Sequence, residues 1–317
     1  MCANFCKGDL MFTAYITHPS SLKHEMGAHH PECPERIITI NDQLIASGLF
    51  DHITHHEAPR ATNEQLERVH AMAYIEHIIA LSPTSGIFDI DGDTIMNPFT
   101  LDAALHAAGA VVKAVDLVME GHAPNAFCNV RPPGHHAGHA KASGFCLFNN
   151  IAVGAAHAMQ HFGLERVAIV DFDVHHGDGT EDIFRDNPNV MLCSTFQHPF
   201  YPYTGADSSN DHIINVPLSA GCSGAEFRAA IMEQWLPALE SFKPQFLFIS
   251  AGFDAHIEDD MGGLALRDAD YLWITDTLRD FAKQYCEGRI VSSLEGGYAL
   301  QALKRCVIAH IKSLSQL

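Results

Sequence analysis

Between Val167 and Gly179 the chain reads VAIVDFDVHHGDG, an apolar run that ends in Asp171, Asp173, His175, His176 and Asp178. Carboxylates and imidazoles at that density are divalent-metal ligands, and a buried parallel strand delivers such groups at its carboxyl end. Side chains alternate along an extended segment, so Asp171, Asp173 and His175 are expected on one face if the strand runs through them. Asp173 and His175 then hold one ion together, with Asp171 one step behind as a partner that orients a ligand. A third ligand must come from another element. Asp254, in QFLFISAGFDAH, is the candidate because it follows a second apolar run, Phe246 to Ala251.

Histidine pairs alone carry little weight here. The 22 histidines in 317 residues form four adjacent pairs, against about 1.5 expected from composition. His55-His56, in a polar stretch before Pro59, reads as solvated loop. His135-His136 stands in RPPGHHA, where two prolines and a glycine force an irregular, rigid loop. His18, His24 and His29-His30 read as rim or structural residues.

The elements that position these residues follow from periodicity. Short apolar β runs recur at Phe12 to Ile16, Ala126 to Val130, Arg166 to Asp173, Val190 to Phe196, Ile213 to Leu218, Phe246 to Ala251 and Ile290 to Leu294. Helical spacing of apolar residues fills Leu101 to Glu120, Asn149 to Phe162, Ala225 to Leu239 and Asp268 to Tyr285. The alternation predicts an α/β fold with a mostly parallel central sheet and helices on both faces. Each unusual motif follows a β run, as expected of a site beyond the carboxyl ends of parallel strands.

Composition bounds the rest. With 47% hydrophobic residues and no linker, repeat or low-complexity tract, one catalytic domain over residues 11–317 is the expectation, after a disordered leader at 1–10. Met11 is a possible natural start. Nineteen basic against 38 acidic residues, a formal net charge of −19, argue against a broad nucleic-acid footprint and favour cationic partners such as lysine-rich protein segments or polyamines. Nine cysteines without framework spacing are not a secreted disulfide scaffold. Cys128, Cys146 and Cys193 are expected as buried thiols; Cys2 and Cys6 lack a second pair and are not read as a metal site. Neither a membrane span nor a secretory signal is evident, so a cytoplasmic enzyme is expected.

Taken together, HPECPERI (His30–Ile37), RPPGHHA, GFCLFNN, DFDVHHGDG, AGFDAH and EGGY (Glu295–Tyr298) resemble the zinc-dependent histone deacetylase family, including bacterial amidohydrolase members and acetylpolyamine amidohydrolases. The resemblance runs from about Tyr15 to the C-terminus and implies a single-domain arginase/deacetylase-like fold. It implies one Zn²⁺ on Asp173, His175 and Asp254, the three residues that the strand argument selects; Fe²⁺ or Co²⁺ would also suit this set. It further implies His135 and His136 as the tandem catalytic histidines and Tyr298 as the catalytic tyrosine.

Amide hydrolysis then assigns roles. His136 is the general base and acid, His135 an electrostatic partner that stays protonated, and Asp171 and Asp178 orient the two rings from behind. Tyr298, on a flexible Gly296-Gly297 hinge, donates to the tetrahedral oxyanion. Many relatives carry Asn where this chain has Asp178, and a carboxylate there raises the basicity of its histidine.

The same resemblance implies a tube for acyl-lysine walled by Phe145 and Tyr201, with Gly144 allowing close approach of the substrate. Met261 stands where polyamine-preferring relatives place a carboxylate, which favours acyl-lysine, although Asp259 and Asp260 beside it weaken that reading. Arg36 matches the arginine near an inner acetate-release cavity. A structural K⁺ is implied on backbone oxygens of Asp171, Asp173 and His175 with Ser194 and Thr195, and a second at the Phe184 to Val190 turn. The expected activity is hydrolysis of N-acetyl-lysine, in a peptide or protein. The alternatives are an acetylpolyamine or other small-amide amidohydrolase, a silent acyl-lysine binder, which intact Tyr298, both histidines and all three ligands argue against, and a two-metal manganese ureohydrolase.

Overall fold

The computed structural model describes residues 12–317; the expected leader, Met11, Cys2 and Cys6 lie outside the described residues. In chain order the strands are β1 (Ala14–Thr17), β2 (Thr54–Glu57), β3 (Phe88–Asp89), β4 (Ile95–Met96), β5 (Asn125–Cys128), β6 (Val167–Asp171), β7 (Val190–Gln197), β8 (Ile213–Leu218), β9 (Leu247–Ala251) and β10 (Ile290–Leu294). Eight of them form one sheet in the order β2-β1-β5-β10-β9-β6-β7-β8. Every neighbour pair in that sheet is parallel. β3 and β4 form a separate antiparallel ribbon.

The apolar strands are buried on both faces, which is why they read as continuous runs rather than alternating ones. Along β6, Val167 and Ile169 enter one core with Val111, Ile151 and Phe248. Ala168 and Val170 enter the other with Phe172, Trp235 and Tyr271. Helices Thr100–Met119 and Asn150–Phe162 pack on the first side; Glu35–Ala46, Asp268–Tyr285 and Leu300–Ser315 pack on the second.

Four features depart from expectation. His55 and His56 are not loop: they lie in edge strand β2, in register with Tyr15 and Ile16 of β1, and His55 packs on Phe50 with ring centroids 4.0 Å apart. Thr54–Glu57 is polar and half exposed because an edge strand needs no second buried face. Helices Glu35–Ala46, Met72–Leu81 and Leu300–Ser315 were not anticipated. The segment after Ala225 is helical but contains a π turn at Ile231–Trp235. Finally, β6 ends at Asp171, two residues earlier than expected.

Candidate active site

Because β6 stops at Asp171, strand alternation does not unite the acidic cluster. Successive carboxylates do so by capping the backbone ahead of them. Asp171 Oδ1 accepts the Asp173 N–H at 3.0 Å, and Asp173 Oδ1 accepts the His175 N–H at 2.9 Å, the local bonding by which aspartate shapes irregular chain. The loop after β9 joins it through Asp254 Oδ1, which accepts the Val174 N–H at 2.8 Å.

The ligating atoms of Asp173, His175 and Asp254 consequently lie within 4.8 Å of one another, all buried. His175 Nδ1 is 3.0 Å from Asp173 Oδ1 and 3.3 Å from Asp254 Oδ2. Asp254 Oδ2 has no hydrogen-bond donor although it is buried. Burial and the neighbouring Asp173 charge push the Asp254 carboxyl up, against His175. Two buried carboxylates, one imidazole and an unanswered oxygen fit a divalent cation. Space is kept for them by glycine: a Cβ on Gly252 would lie 2.0 Å from Asp173 Oδ2, and one on Gly296 would lie 2.0 Å from Asp254 Oδ2.

The RPPGHHA loop after β5 brings two imidazoles alongside. His135 Nδ1–H donates to Asp171 Oδ2 at 2.9 Å and His136 Nδ1–H to Asp178 Oδ1 at 2.7 Å. Asp171 and Asp178 thus stand behind the two rings, and on a neutral ring the bonded Nδ1–H leaves Nε2 as the free nitrogen. The two rings differ electrically. Burial opposes a charge on His135, but Asp173 and Asp171 outweigh it and hold its pKa well above the ordinary value. Burial, reinforced by the charge on His135, pulls His136 down to about 4 against the pull of Asp178.

A cavity of about 300 Å³ opens over this group, lined by His136, Gly144, Phe145, His175, Tyr201 and Tyr298 together with Phe200, Met261, Asp93 and Asp260. Tyr201 packs edge-on against His136 and His175, with centroids 5.2 and 6.0 Å away; Phe145 packs edge-on against Tyr298 at 6.1 Å. Burial, only partly offset by Arg36, holds the Tyr298 phenol well above its usual pKa, so it remains a donor.

One sequence reading changes here, that of the hinge, and two residues gain a physical setting. Gly144 is required by His136: a Cβ would lie 2.4 Å from the imidazole Cδ2, and the backbone has φ +55. Gly296-Gly297 is no flexible hinge. The Gly296 N–H donates to Asp173 Oδ2 at 2.8 Å, and the Gly297 carbonyl accepts from Arg36 Nε at 2.6 Å. Arg36 is fully buried, pairs with Glu32 at 3.0 Å and sits 5.0 Å from the Tyr298 ring centre.

Ser194 lies opposite Asp171 in the sheet register, and Ser194 and Thr195 are buried behind the acidic loop. In the Phe184 to Val190 turn, the carbonyls of Phe184 and Asn187 already accept backbone N–H groups. Cys128, Cys146 and Cys193 are buried free thiols as expected. His24 is buried against Thr100 and Glu32, and His30 packs on Phe145.

Sequence reasoning missed Phe200, whose ring stacks on His175 at 5.5 Å, and Glu295, whose Oε2 accepts the N–H groups of Gly134 and His135 at 2.7 and 3.1 Å. Glu295 was visible as the acid of EGGY; Phe200 carried no signal beyond adjoining Tyr201. A second trio, His256, Asp268 and Cys306, also has metal-ligand types. There Arg305 already neutralises Asp268 at 2.8 Å, and burial pushes the Cys306 thiol up, so it reads as a structural clasp.

The parallel sheet and the loops gathered at its strand ends give the chain an arginase/deacetylase-like α/β fold. Residues 30–314 match the family model described as histone deacetylase domain, and the chain belongs to that family. It is 37% identical to a probable deacetylase of Archaeoglobus fulgidus, over 92% of this chain and 82% of that protein. It is 35% identical to type-2 histone deacetylase 2 of Dictyostelium discoideum over 95% of this chain, yet spans only 21% of that protein. Mouse polyamine deacetylase HDAC10 is 36% identical over 89% of this chain and 44% of its own length. Among solved structures, the HDA15 HD domain superposes with a TM-score of 0.90 at 36% identity, covering 96% of this chain and 88% of that one.

Proposed function

We propose that this deacetylase-family chain is a zinc-dependent lysine deacetylase that hydrolyses N-acetyl-lysine in a peptide or protein to lysine and acetate. The observation that carries it is the meeting of His136, paired with Asp178, and the Tyr298 phenol on one cavity that His175 of the buried Asp173, His175 and Asp254 trio also lines, with the unequal His135–Asp171 pair alongside. Those three residues would hold Zn²⁺, which supplies a Lewis acid for the amide carbonyl and lowers the pKa of water towards ~7.

The chain's own groups do the rest. His136, neutral near pH 7 and free at Nε2, takes the proton from the attacking water and passes it to the departing amine nitrogen. His135, whose Nδ1–H is bonded to Asp171, stands beside it as the electrostatic partner. Tyr298 donates its hydroxyl to the oxyanion. Phe145 and Tyr201 flank the methylene stem, with Met261 at the rim. Arg36 lies beneath Tyr298 on the side where acetate would leave. K⁺ at Asp171, Asp173, His175, Ser194 and Thr195 would stiffen the acidic loop. Buried free thiols accord with a reducing compartment such as the cytoplasm.

A second reading, acetylated polyamine, draws on Asp93 and Asp260, whose carboxylates line the same cavity. Acetate release by zinc-loaded protein from an acetyl-lysine peptide and an acetylated polyamine, measured side by side, separates the two. The peptide should be preferred, and His136→Ala should abolish turnover. Polyamine preference would keep the chemistry and reverse the substrate; full activity in His136→Ala would remove the base assignment.

A further inference from the structure

Asp259 lies on the loop after β9, five residues beyond Asp254, with 5% of its surface exposed. Its carboxylate is answered by backbone alone. Oδ1 accepts the Met261 N–H at 3.0 Å, while Oδ2 accepts the N–H groups of Tyr298 at 2.6 Å and Ala299 at 2.9 Å. Hydrogen bonds to a buried carboxylate are short and strong. Ala299 immediately precedes helix Leu300–Ser315, so the charge also sits where unpaired amides and the helix dipole favour an anion.

The two residues held by this one side chain, Met261 and Tyr298, both line the cavity. Upstream of Tyr298, the Gly296-Gly297 pair is anchored by Asp173 and Arg36, but the Tyr298 amide itself is anchored only through Asp259 among the described residues. We propose that Asp259 is a positioning residue: by clamping the Tyr298 and Met261 amides it aims the phenol at the reacting carbonyl and ties that aim to the cavity rim. A donor displaced by about 1 Å loses on the order of 10²-fold in rate. This inference rests on the reading of Tyr298 as the oxyanion donor.

Asp259→Asn is isosteric but removes the charge and turns an N–H donor towards a backbone N–H. The test is a double-mutant cycle with Tyr298→Phe, read on whichever acetylated substrate the native protein turns over, with amide hydrogen exchange of segment 296–300 alongside. Asp259→Asn should lower kcat on the order of 10- to 100-fold with KM unchanged, cost nothing further in the Tyr298→Phe background, and speed exchange at Tyr298 and Ala299. Equal losses with and without the phenol, or native kcat in Asp259→Asn, would overturn the proposal. Native rates in Tyr298→Phe would instead sink the oxyanion assignment, and unchanged exchange in Asp259→Asn would sink the clamp independently. If Asp259→Asn does not fold, Asp259→Glu, which keeps the charge but displaces it by a methylene, carries the same cycle.

Discussion

A single hydrogen atom in place of a methyl group decides how close the His136 ring can stand to the GFC turn. The family motif points to Gly144 but not to the reason for it, since the crowding atom belongs to a residue eight positions earlier on a different loop. Gly144→Ala combines a strained positive φ with a Cβ 2.4 Å from imidazole carbon. It should therefore displace His136 and lower kcat on the order of 10²-fold, with substrate affinity largely kept. Steady-state kinetics with a peptide-binding measurement checks this; native kcat would show that the ring yields without cost. The catalytic candidates themselves were legible residue by residue, because metal ligands and acid–base groups must be particular side-chain types. Phe200 and Asp259, like the reason for Gly144, act through contact, and contact leaves no trace in spacing.

At the scale of elements, apolar runs located all the central strands to within a few residues, whereas the polar edge strand β2 escaped notice. The helix Thr100–Met119 shows a similar limit. Gly109 in a helix interior normally invites alanine, which gains about 1 kcal/mol in helix propensity. Here an added Cβ would sit 1.9 Å from the Pro59 carbonyl oxygen and 2.8 Å from the Ala61 nitrogen. Both are backbone atoms, which cannot rotate aside. Gly109→Ala should thus destabilise the protein by about 2 kcal/mol or more, overpacking outweighing propensity. Urea unfolding measures it, and any gain in stability would contradict the close approach.

Over the whole molecule, His70 couples distant parts of the chain in one protonation state. Its Nδ1–H donates to the Gly138 carbonyl at 2.9 Å, and its Nε2 accepts the Asn149 N–H at 2.9 Å. A second ring proton would face that N–H. Burial accordingly pulls the His70 pKa down to about 4. Above pH 6.5 both folded and unfolded chains hold a neutral ring, so stability is full. As pH falls below 6.5 the unfolded state gains the proton first, and up to about 3 kcal/mol is lost by the time pH reaches about 4. The unfolding midpoint of the native protein should drop more steeply from pH 7 to 4 than that of His70→Gln, whose amide can still donate to Gly138 and accept from Asn149. Parallel profiles would exclude His70 as the source.

What the sequence determined by itself was chemistry and order: which side chains can bind a metal, move a proton or donate to an oxyanion, and that each follows an apolar strand. Tertiary structure decided how they meet. The strand bearing the acidic cluster ends at Asp171, and carboxylates capping successive backbone amides, rather than the alternation of a strand, assemble Asp173 and His175 with Asp254. The difference has one physical origin. Side-chain type and local periodicity are properties of neighbours along the chain, whereas hydrogen-bond partners, excluded volume and burial are properties of neighbours in space, which only the packed sheet and its loops create.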